Sequence, residues 1–141
     1  MSPTPSSPTA AEVFAGLVRV VHLISTAGAQ ELRSHGLTPA QYQILVLLHR
    51  RPQATQREVA EALGVTKGNV SQLLTRLQEA GLLDRLPEGA ANRIALTDTG
   101  TALVRELMPA HQRFLARSFA ALDADGLAAL AALVSRLEAS L

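Results

Sequence analysis

Residues 55–81 decide the fold of this chain and read TQREVAEALGVTKGNVSQLLTRLQEAG. Thr55 is followed three residues later by Glu58, a spacing that predicts a capping box at the start of a short helix. Gly64 is expected to end that helix, because glycine readily adopts the left-handed conformation found just after a helix. Thr66 can then cap a further helix. The stretch therefore predicts two short helices that meet across a tight turn at Gly64.

The second of these helices has one apolar and one polar face. Its apolar residues recur at three- and four-residue spacing and are Val70, Leu73, Leu74 and Leu77. The side chains left outside are Thr66, Lys67, Asn69, Gln72, Thr75 and Arg76. Two helices joined by a turn with glycine form the helix-turn-helix arrangement, whose second helix can lie in a major groove. Asn and Gln can pair with adenine edges, Lys with guanine or phosphate, and Thr with phosphate oxygens.

An ordinary solvated helix face would carry the same polar residues, so the residues alone leave both interpretations open. Gly68 favours contact with DNA, because a glycine in the first turn costs about 1 kcal/mol of helix stability relative to alanine. The absence of a side chain there would let the backbone approach a ligand closely.

After this helix the pattern changes to short strand-like runs at 82–86 and 92–96. The residues between them, Pro87-Glu88-Gly89-Ala90, are typical of a hairpin tip. This hairpin is the candidate wing beside the helix-turn-helix. Arg93 could enter a minor groove, where narrow A·T-rich DNA attracts arginine. The alternative is an exposed strand residue that pairs with Glu88.

Upstream, residues 1–9 are rich in Pro, Ser and Thr and are predicted to be a disordered tail. A long helix is predicted from Ala10 to about Ser34, ended by Gly36. Its buried face is expected to consist of Val13, Leu17, Val20, Val21 and Ile24. A capping box at Thr38-Pro39-Ala40-Gln41 begins another helix, which ends at Arg51-Pro52.

Downstream of the hairpin, a helix is predicted from Thr97 to about Ala120, and Asp123 is expected to cap a last helix. The apolar residues of the last helix follow three, four, three and four residues apart and are Leu127, Leu130, Val134, Leu137 and Leu141. A seam of this kind is suited to packing against a partner helix. With Val13 and Leu17 of the first helix, it exposes more apolar surface than a small lobe can cover, which predicts an obligate dimer.

The predicted fold class is therefore mainly α with a small β-hairpin wing. Residues 37–97 are expected to form a winged helix-turn-helix lobe. Residues 10–36 and 98–141 are expected to form the flanking dimerisation helices.

Composition narrows the possible functions. The formal net charge is +1 and cysteine is absent, which excludes disulfides, thiolate chemistry and Cys-based zinc sites. The four histidines show no i,i+4 pair and no phosphate loop or nucleophile–base pair stands out, so no metal, cofactor or enzymatic activity is predicted. Charged residues, Pro and Gly interrupt every apolar run before the roughly 18 residues of a membrane span. With no signal-peptide pattern, a soluble, cytoplasmic protein without a membrane partner is predicted.

Five local motifs, in order, resemble those of the MarR (multiple antibiotic resistance regulator) family. They are Leu37-Thr38-Pro39-Ala40-Gln41-Tyr42, Thr55 to Gly64, Val65 to Ser71, Arg76 to Leu83, and Leu96 to Gly100. The resemblance extends over about Ala10 to Leu141 and implies a transcriptional regulator, expected to be a repressor. It also implies a homodimer that binds a pseudo-palindromic DNA duplex.

With the resemblance included, the predicted DNA-binding residues are Thr55, Gln56, Thr66, Lys67, Gly68, Asn69, Ser71, Gln72, Thr75, Arg76 and Arg93. The family's wing usually carries an Asp-Arg-Arg type motif, whereas here a shortened hairpin has Ala90-Ala91-Asn92-Arg93, so only Arg93 is carried over. The resemblance further implies a small aromatic or phenolic effector, held between the dimer helices and the winged lobe. Arg19, His22 and Tyr42 could line that pocket.

A winged-helix module that binds protein instead of DNA is the alternative function, favoured by the modest net charge and the shortened wing. Salt-dependent retention on duplex DNA separates the two, because phosphate contacts release counterions.

Overall fold

The structure is a computed structural model and describes residues 6–86 and 92–141. The elements in these residues are α1 (Ala10–Arg33), α2 (Pro39–Arg50), α3 (Gln56–Leu63), α4 (Lys67–Glu79), β1 (Leu83–Leu86), β2 (Arg93–Leu96), α5 (Asp98–Ser118) and α6 (Ala124–Ser140). The predicted class, mainly α with a small hairpin, is confirmed. The chain divides into two compact units, with the division between Glu106 and Leu107.

Threonine side chains cap the N-termini of the first four helices. Both halves of a capping box are present at Thr9 and Thr38, where the side chain caps the helix and Glu12 or Gln41 returns the bond. Thr9 is therefore the N-cap of α1, whereas the sequence prediction assigned it to the disordered tail; residues 1–5 of that tail lie outside the described residues. At Thr55 only the side-chain half of the predicted box forms, from the Glu58 N–H at 3.1 Å.

Instead of the return bond, the backbone beside Thr55 pairs with the hairpin. The N–H of Ile94 donates to the carbonyl of Ala54 at 3.0 Å, and the N–H of Gln56 donates to the carbonyl of Asn92 at 2.9 Å. These two hydrogen bonds form an isolated antiparallel bridge between Thr55 and Arg93. The segment before α3 thus lies along the outer edge of β2, an arrangement that the sequence pattern did not predict.

The core lies in the first unit, between the helices α2, α3 and α4, the hairpin and the first turns of α5. Its largest fully buried side chains are Ile44, Leu45, Leu48, Val59, Val70, Leu74, Leu77, Leu83, Ile94 and Val104. Burial of each such side chain stabilises the fold by roughly 1.5–3 kcal/mol. The hairpin is antiparallel and pairs Leu83 with Leu96 and Leu86 with Arg93. The core therefore fixes both α4 and the hairpin on one small lobe.

Close packing at Gly100 fixes the start of α5. The Thr97 hydroxyl donates to the carbonyl of Gly81 at 2.7 Å and accepts from the N–H of Gly100 at 3.0 Å. A Cβ atom at Gly100 would lie 1.9 Å from the carbonyl oxygen of Leu82. Only glycine fits at this position, which explains on steric grounds why the Leu96 to Gly100 motif ends in glycine.

Helix α1 exposes apolar side chains over more than the single face predicted from its spacing. Phe14 and Leu23, outside that face, are 69% and 68% exposed. At 100° per residue the large apolar side chains from Val13 to Ile24 span roughly 220° of the helix circumference. A helix that is apolar on most sides is normally buried, so the exposed side chains of α1 are expected to pack against another apolar surface.

Length and composition would also allow α1 to cross a membrane. Its most apolar 18-residue window has a mean hydropathy of 1.4, and none of that window is buried among the described residues. The prediction of no span relied on uninterrupted apolar runs, which is a stricter criterion than average hydropathy. Arg19 and His22 lie near the middle of the helix, where a span would bury their polar groups in hydrocarbon. They favour a protein partner for this helix.

Helix α6 in the second unit also presents apolar residues to solvent. Asp123 caps it as predicted, accepting from the N–H of Gly126 at 2.7 Å. The predicted seam is exposed at Leu127, Val134, Leu137 and Leu141, whereas Leu130 is half-buried.

Candidate nucleic-acid interface

Helices α3 and α4 form the predicted helix-turn-helix. Gly64 ends α3 in the left-handed conformation with φ 66°, and Thr66 caps α4 by accepting from the N–H of Asn69 at 3.3 Å. Val70, Leu74 and Leu77 of α4 are buried as expected. Leu73, which was assigned to the same stripe, is half-buried at the margin of the core.

The outer face of α4 is polar and exposed. The exposed residues here that belong to the predicted DNA-binding set are Thr66, Lys67, Gly68, Asn69, Gln72, Thr75 and Arg76. At 100° per residue, Asn69, Gln72 and Arg76 lie within about 60° of one another around the helix axis. Two amides that can read base edges and one cation that can bind phosphate therefore share a narrow strip. Space is open around Gly68, where an added Cβ would meet nothing within 4 Å.

Two residues in the predicted DNA-binding set are held within the protein by Arg85, which the sequence analysis missed. The guanidinium of Arg85, on β1, donates to the Ser71 carbonyl at 2.9 Å and to the Thr75 hydroxyl at 3.2 Å. It also donates to the side-chain amide of Gln78 at 3.3 Å. We refer to these hydrogen bonds as the Arg85 clamp. The Thr75 hydroxyl in turn donates to the Ser71 carbonyl at 2.9 Å.

Arg85 could have been found from the local order of elements. A strand that begins two residues after the Gly81 turn has to run back beside α4, so its long side chains can reach the flank of that helix. Periodicity identifies such a position only as an alternating strand residue.

Arg93 on β2 is exposed, but its guanidinium is anchored. Its Nη1 donates to the carbonyl of Gln53 at 3.2 Å. Gln53 is the only non-glycine residue with positive φ (61°) among the described residues. The hairpin tip, Pro87-Glu88-Gly89-Ala90, and with it the alternative pairing of Arg93 to Glu88, lies outside the described residues.

The remaining predicted contacts lie at the start of α3. Thr55 and Gln56 are half-buried, and both are held by the cap and bridge hydrogen bonds described above. Beside them, Arg57 forms an exposed ion pair with Glu61 at 3.1 Å. Thr55 and Gln56 are therefore less exposed than the predicted DNA-binding residues Asn69, Gln72 and Arg76 of α4.

Of the three residues predicted to line an effector pocket, only Tyr42 borders the groove described here. Tyr42 is buried on α2, and burial raises the pKa of its phenol above the ordinary value. It borders a groove of about 340 Å³ between α2 and α3, lined also by Gln43, Val46, Leu47, Arg50, Ala62 and Leu63. Arg19 and His22 are exposed on α1 and do not line this groove.

Residues 35–94 match the family model described as MarR family, and this segment runs from the end of α1 into the hairpin. An uncharacterised helix-turn-helix transcriptional regulator of Bacillus cereus is 29% identical over 107 residues, covering 76% of this chain and 73% of the relative.

Solved structures share the architecture over nearly the whole chain. The MepR–DNA complex of S. aureus superposes with a TM-score of 0.82 at 24% identity, covering 96% of this chain and 100% of MepR. The PcaV transcriptional regulator of Streptomyces coelicolor, solved with its natural ligand, gives a TM-score of 0.73 at 26% identity. That match covers 98% of this chain and 97% of PcaV.

Proposed function

We propose that this chain is a DNA-binding transcriptional regulator of the MarR family, and that it represses transcription as a homodimer bound to a pseudo-palindromic operator. The observation that carries the proposal is the exposed polar strip of α4, opposite the buried stripe that fixes the helix on the lobe. A helix held in this way can enter a major groove without any change in the core.

The residues of α4 divide into reading and anchoring groups. Asn69 and Gln72 each carry an amide that can pair bidentately with adenine. Lys67 and Arg76 supply positive charge for guanine or phosphate. Thr66, whose hydroxyl already accepts from Asn69, can still donate its proton to a phosphate oxygen. Specificity is therefore assigned to the two amides and most of the affinity to the cations.

The exposed apolar surfaces of α1 and α6 are assigned to a second copy of this chain. Residues 10–36 and 98–141 form the dimerisation region in this proposal, and residues 37–97 form the DNA-reading lobe. A two-fold dimer of this kind would place its recognition helices about 34 Å apart, one turn of DNA, so that the half-sites form a pseudo-palindrome.

A small aromatic or phenolic effector is proposed to weaken DNA binding. The support is the PcaV likeness, since that protein was solved with its natural ligand, and the groove beside Tyr42, where Arg50 adds a cation to an apolar wall. Such a ligand has to bind the DNA-free and DNA-bound spacings of the dimer with different affinity, and DNA then weakens the ligand by the same factor.

Selection from a random-sequence duplex library tests the proposal directly. The full-length chain is expected to enrich a pseudo-palindromic sequence and to lose affinity steeply as salt rises. A chain that enriches no sequence, and whose retention on duplex DNA does not depend on salt, would instead be a winged-helix module for binding protein.

A further inference from the structure

Arg85 links the hairpin to the flank of the recognition helix. The acceptors of the Arg85 clamp, on Ser71, Thr75 and Gln78, follow four and three residues apart and so form one stripe along α4. Around the helix axis this stripe lies between the buried face and the strip of Asn69 and Gln72. The clamp thus touches neither the core nor the residues assigned to the bases.

We propose that Arg85 is a specificity-positioning residue, which sets the rotation of α4 about its own axis so that Asn69 and Gln72 meet the base edges. This inference rests on the proposed reading of DNA by α4. Buried leucine and valine side chains hold the helix on the lobe, but apolar contacts are non-directional. Hydrogen bonds are directional, so those from one rigid guanidinium to three points along α4 can fix the rotation of the helix about its axis.

Small rotations of α4 would matter to reading. A turn of about 10° moves a side chain at the outer radius of roughly 6 Å by about 1 Å. A bidentate amide–adenine pair requires donor–acceptor distances of about 2.7–3.2 Å, so a displacement of this size removes at least one of its hydrogen bonds. Contacts to phosphate by long cationic side chains tolerate the same displacement, because those side chains are flexible.

The geometry of the Arg85 side chain, and not its charge, is what the clamp uses. Its acceptors are a backbone carbonyl, a hydroxyl and an amide, all neutral. Arg presents five N–H donors in a fixed plane, whereas Lys presents three from one atom on a flexible stem. Lysine at this position would keep the positive charge but could not reach all three acceptors together.

The test compares Arg85→Lys and Arg85→Gln with the wild-type chain and with Arg105→Gln, which removes an exposed arginine elsewhere in the same unit. Binding is measured on a duplex selected by the wild-type chain and on a scrambled duplex of the same length. Both Arg85 variants are expected to lower the ratio of selected to scrambled affinity roughly ten-fold. Arg85→Lys keeps wild-type affinity for the scrambled duplex, and Arg105→Gln keeps the ratio.

Amide hydrogen exchange without DNA provides a readout independent of the operator. Both Arg85 variants are expected to exchange the α4 amides roughly ten-fold faster than wild type. Wild-type selectivity in Arg85→Lys would overturn the proposal, because charge would then suffice, and so would unchanged exchange in α4. If the wild-type chain selects no duplex, the proposed function fails, and the exchange measurement decides the clamp by itself.

Thr75→Val provides a second route if the Arg85 variants do not fold. It removes the hydroxyl in the middle of the clamp and keeps the shape of the side chain. By itself it is expected to lower the ratio of selected to scrambled affinity, which tests the clamp even if neither Arg85 variant folds. Where Arg85→Lys does fold, the double variant should lose no more selectivity than Arg85→Lys, because both changes break the same interaction. Fully additive losses would contradict the clamp.

Discussion

The guanidinium of Arg93 and the backbone carbonyl of Gln53 are joined by a hydrogen bond of 3.2 Å across forty positions of sequence. Gln53 has a left-handed backbone, which for a residue with a side chain costs about 1–2 kcal/mol. The hydrogen bond therefore holds a strained turn against the wing strand, and Arg93 supports the fold at a position predicted to contact DNA.

Arg93→Ala is expected to lower the free energy of unfolding by about 1 kcal/mol, because one hydrogen bond to the turn is lost. It should also lower the affinity for specific and random duplexes alike. The slope of log affinity against log salt concentration should become shallower by about one unit per half-site. Arg93→Lys is the matched control, since it keeps the charge and should keep the salt slope. Thermal unfolding and anisotropy titrations at several salt concentrations measure both effects. An unchanged slope in Arg93→Ala would assign Arg93 to the turn alone.

Asn69→Ala and Gln72→Ala are expected to lower affinity for the selected duplex only, unlike Arg93→Ala, which should lower affinity for both duplexes. Each removes an amide from the exposed strip of α4, which should cost on the order of 1–3 kcal/mol on the selected duplex. Affinity for a scrambled duplex should hardly change, because phosphate contacts remain. The same titrations measure this. Equal losses on both duplexes would show that these amides do not read bases.

Gly100→Ala and Gly68→Ala form a matched pair of glycine substitutions. A methyl group at Gly100 would collide with the Leu82 carbonyl, so we expect at least about 2 kcal/mol of destabilisation in thermal unfolding. At Gly68 the space is open, and alanine should stabilise the free protein by up to about 1 kcal/mol.

DNA binding separates the two glycines further. Gly68→Ala should reduce affinity for duplex DNA despite its higher stability, because its methyl group stands where the backbone of α4 would approach DNA. Unchanged affinity in Gly68→Ala would mean that the backbone of α4 does not approach DNA closely at Gly68.

Val21→Glu tests the assignment of α1 to a second copy of the chain. Val21 is 62% exposed in the protomer, so a charge there should leave the monomer fold intact. In a dimer it would be buried without a partner, which is strongly destabilising. Sedimentation velocity is expected to show dimers for the wild type and for Thr26→Glu, but monomers for Val21→Glu. A stable wild-type monomer at micromolar concentration, or co-sedimentation of the wild type with lipid vesicles in place of self-association, would refute the assignment.

Sequence predicted what depends on neighbours along the chain. The caps at Thr38 and Thr66 and the turn at Gly64 use residues within four positions of one another, and the structure confirms them. Apolar spacing identified the buried stripe of α4 because helical geometry converts spacing into a face.

The sequence did not predict contacts between segments that are far apart along the chain. The bridge from Thr55 to Arg93 and the contact of Gly100 with Leu82 require the folded lobe before they exist. The Arg85 clamp was missed for a different reason: periodicity marks Arg85 only as an alternating strand residue, although the order of α4 and β1 already places that strand beside the helix. The left-handed turn at Gln53 carries no glycine or asparagine that would mark it.

The turn at Gly64 also has a consequence for the order in which the chain folds. Gly64 and Val65 return their N–H groups to the end of α3, and Thr66 opens α4 one residue later, so both helix ends are satisfied within a few positions. Closing such a short loop costs little chain entropy, and contacts of low sequence separation form early. We therefore expect α3 and α4 to pair in the folding transition state, before the hairpin closes across them. Substitutions at Val70 or Leu74 should then slow folding, whereas loss of the Arg93 hydrogen bond should mainly speed unfolding.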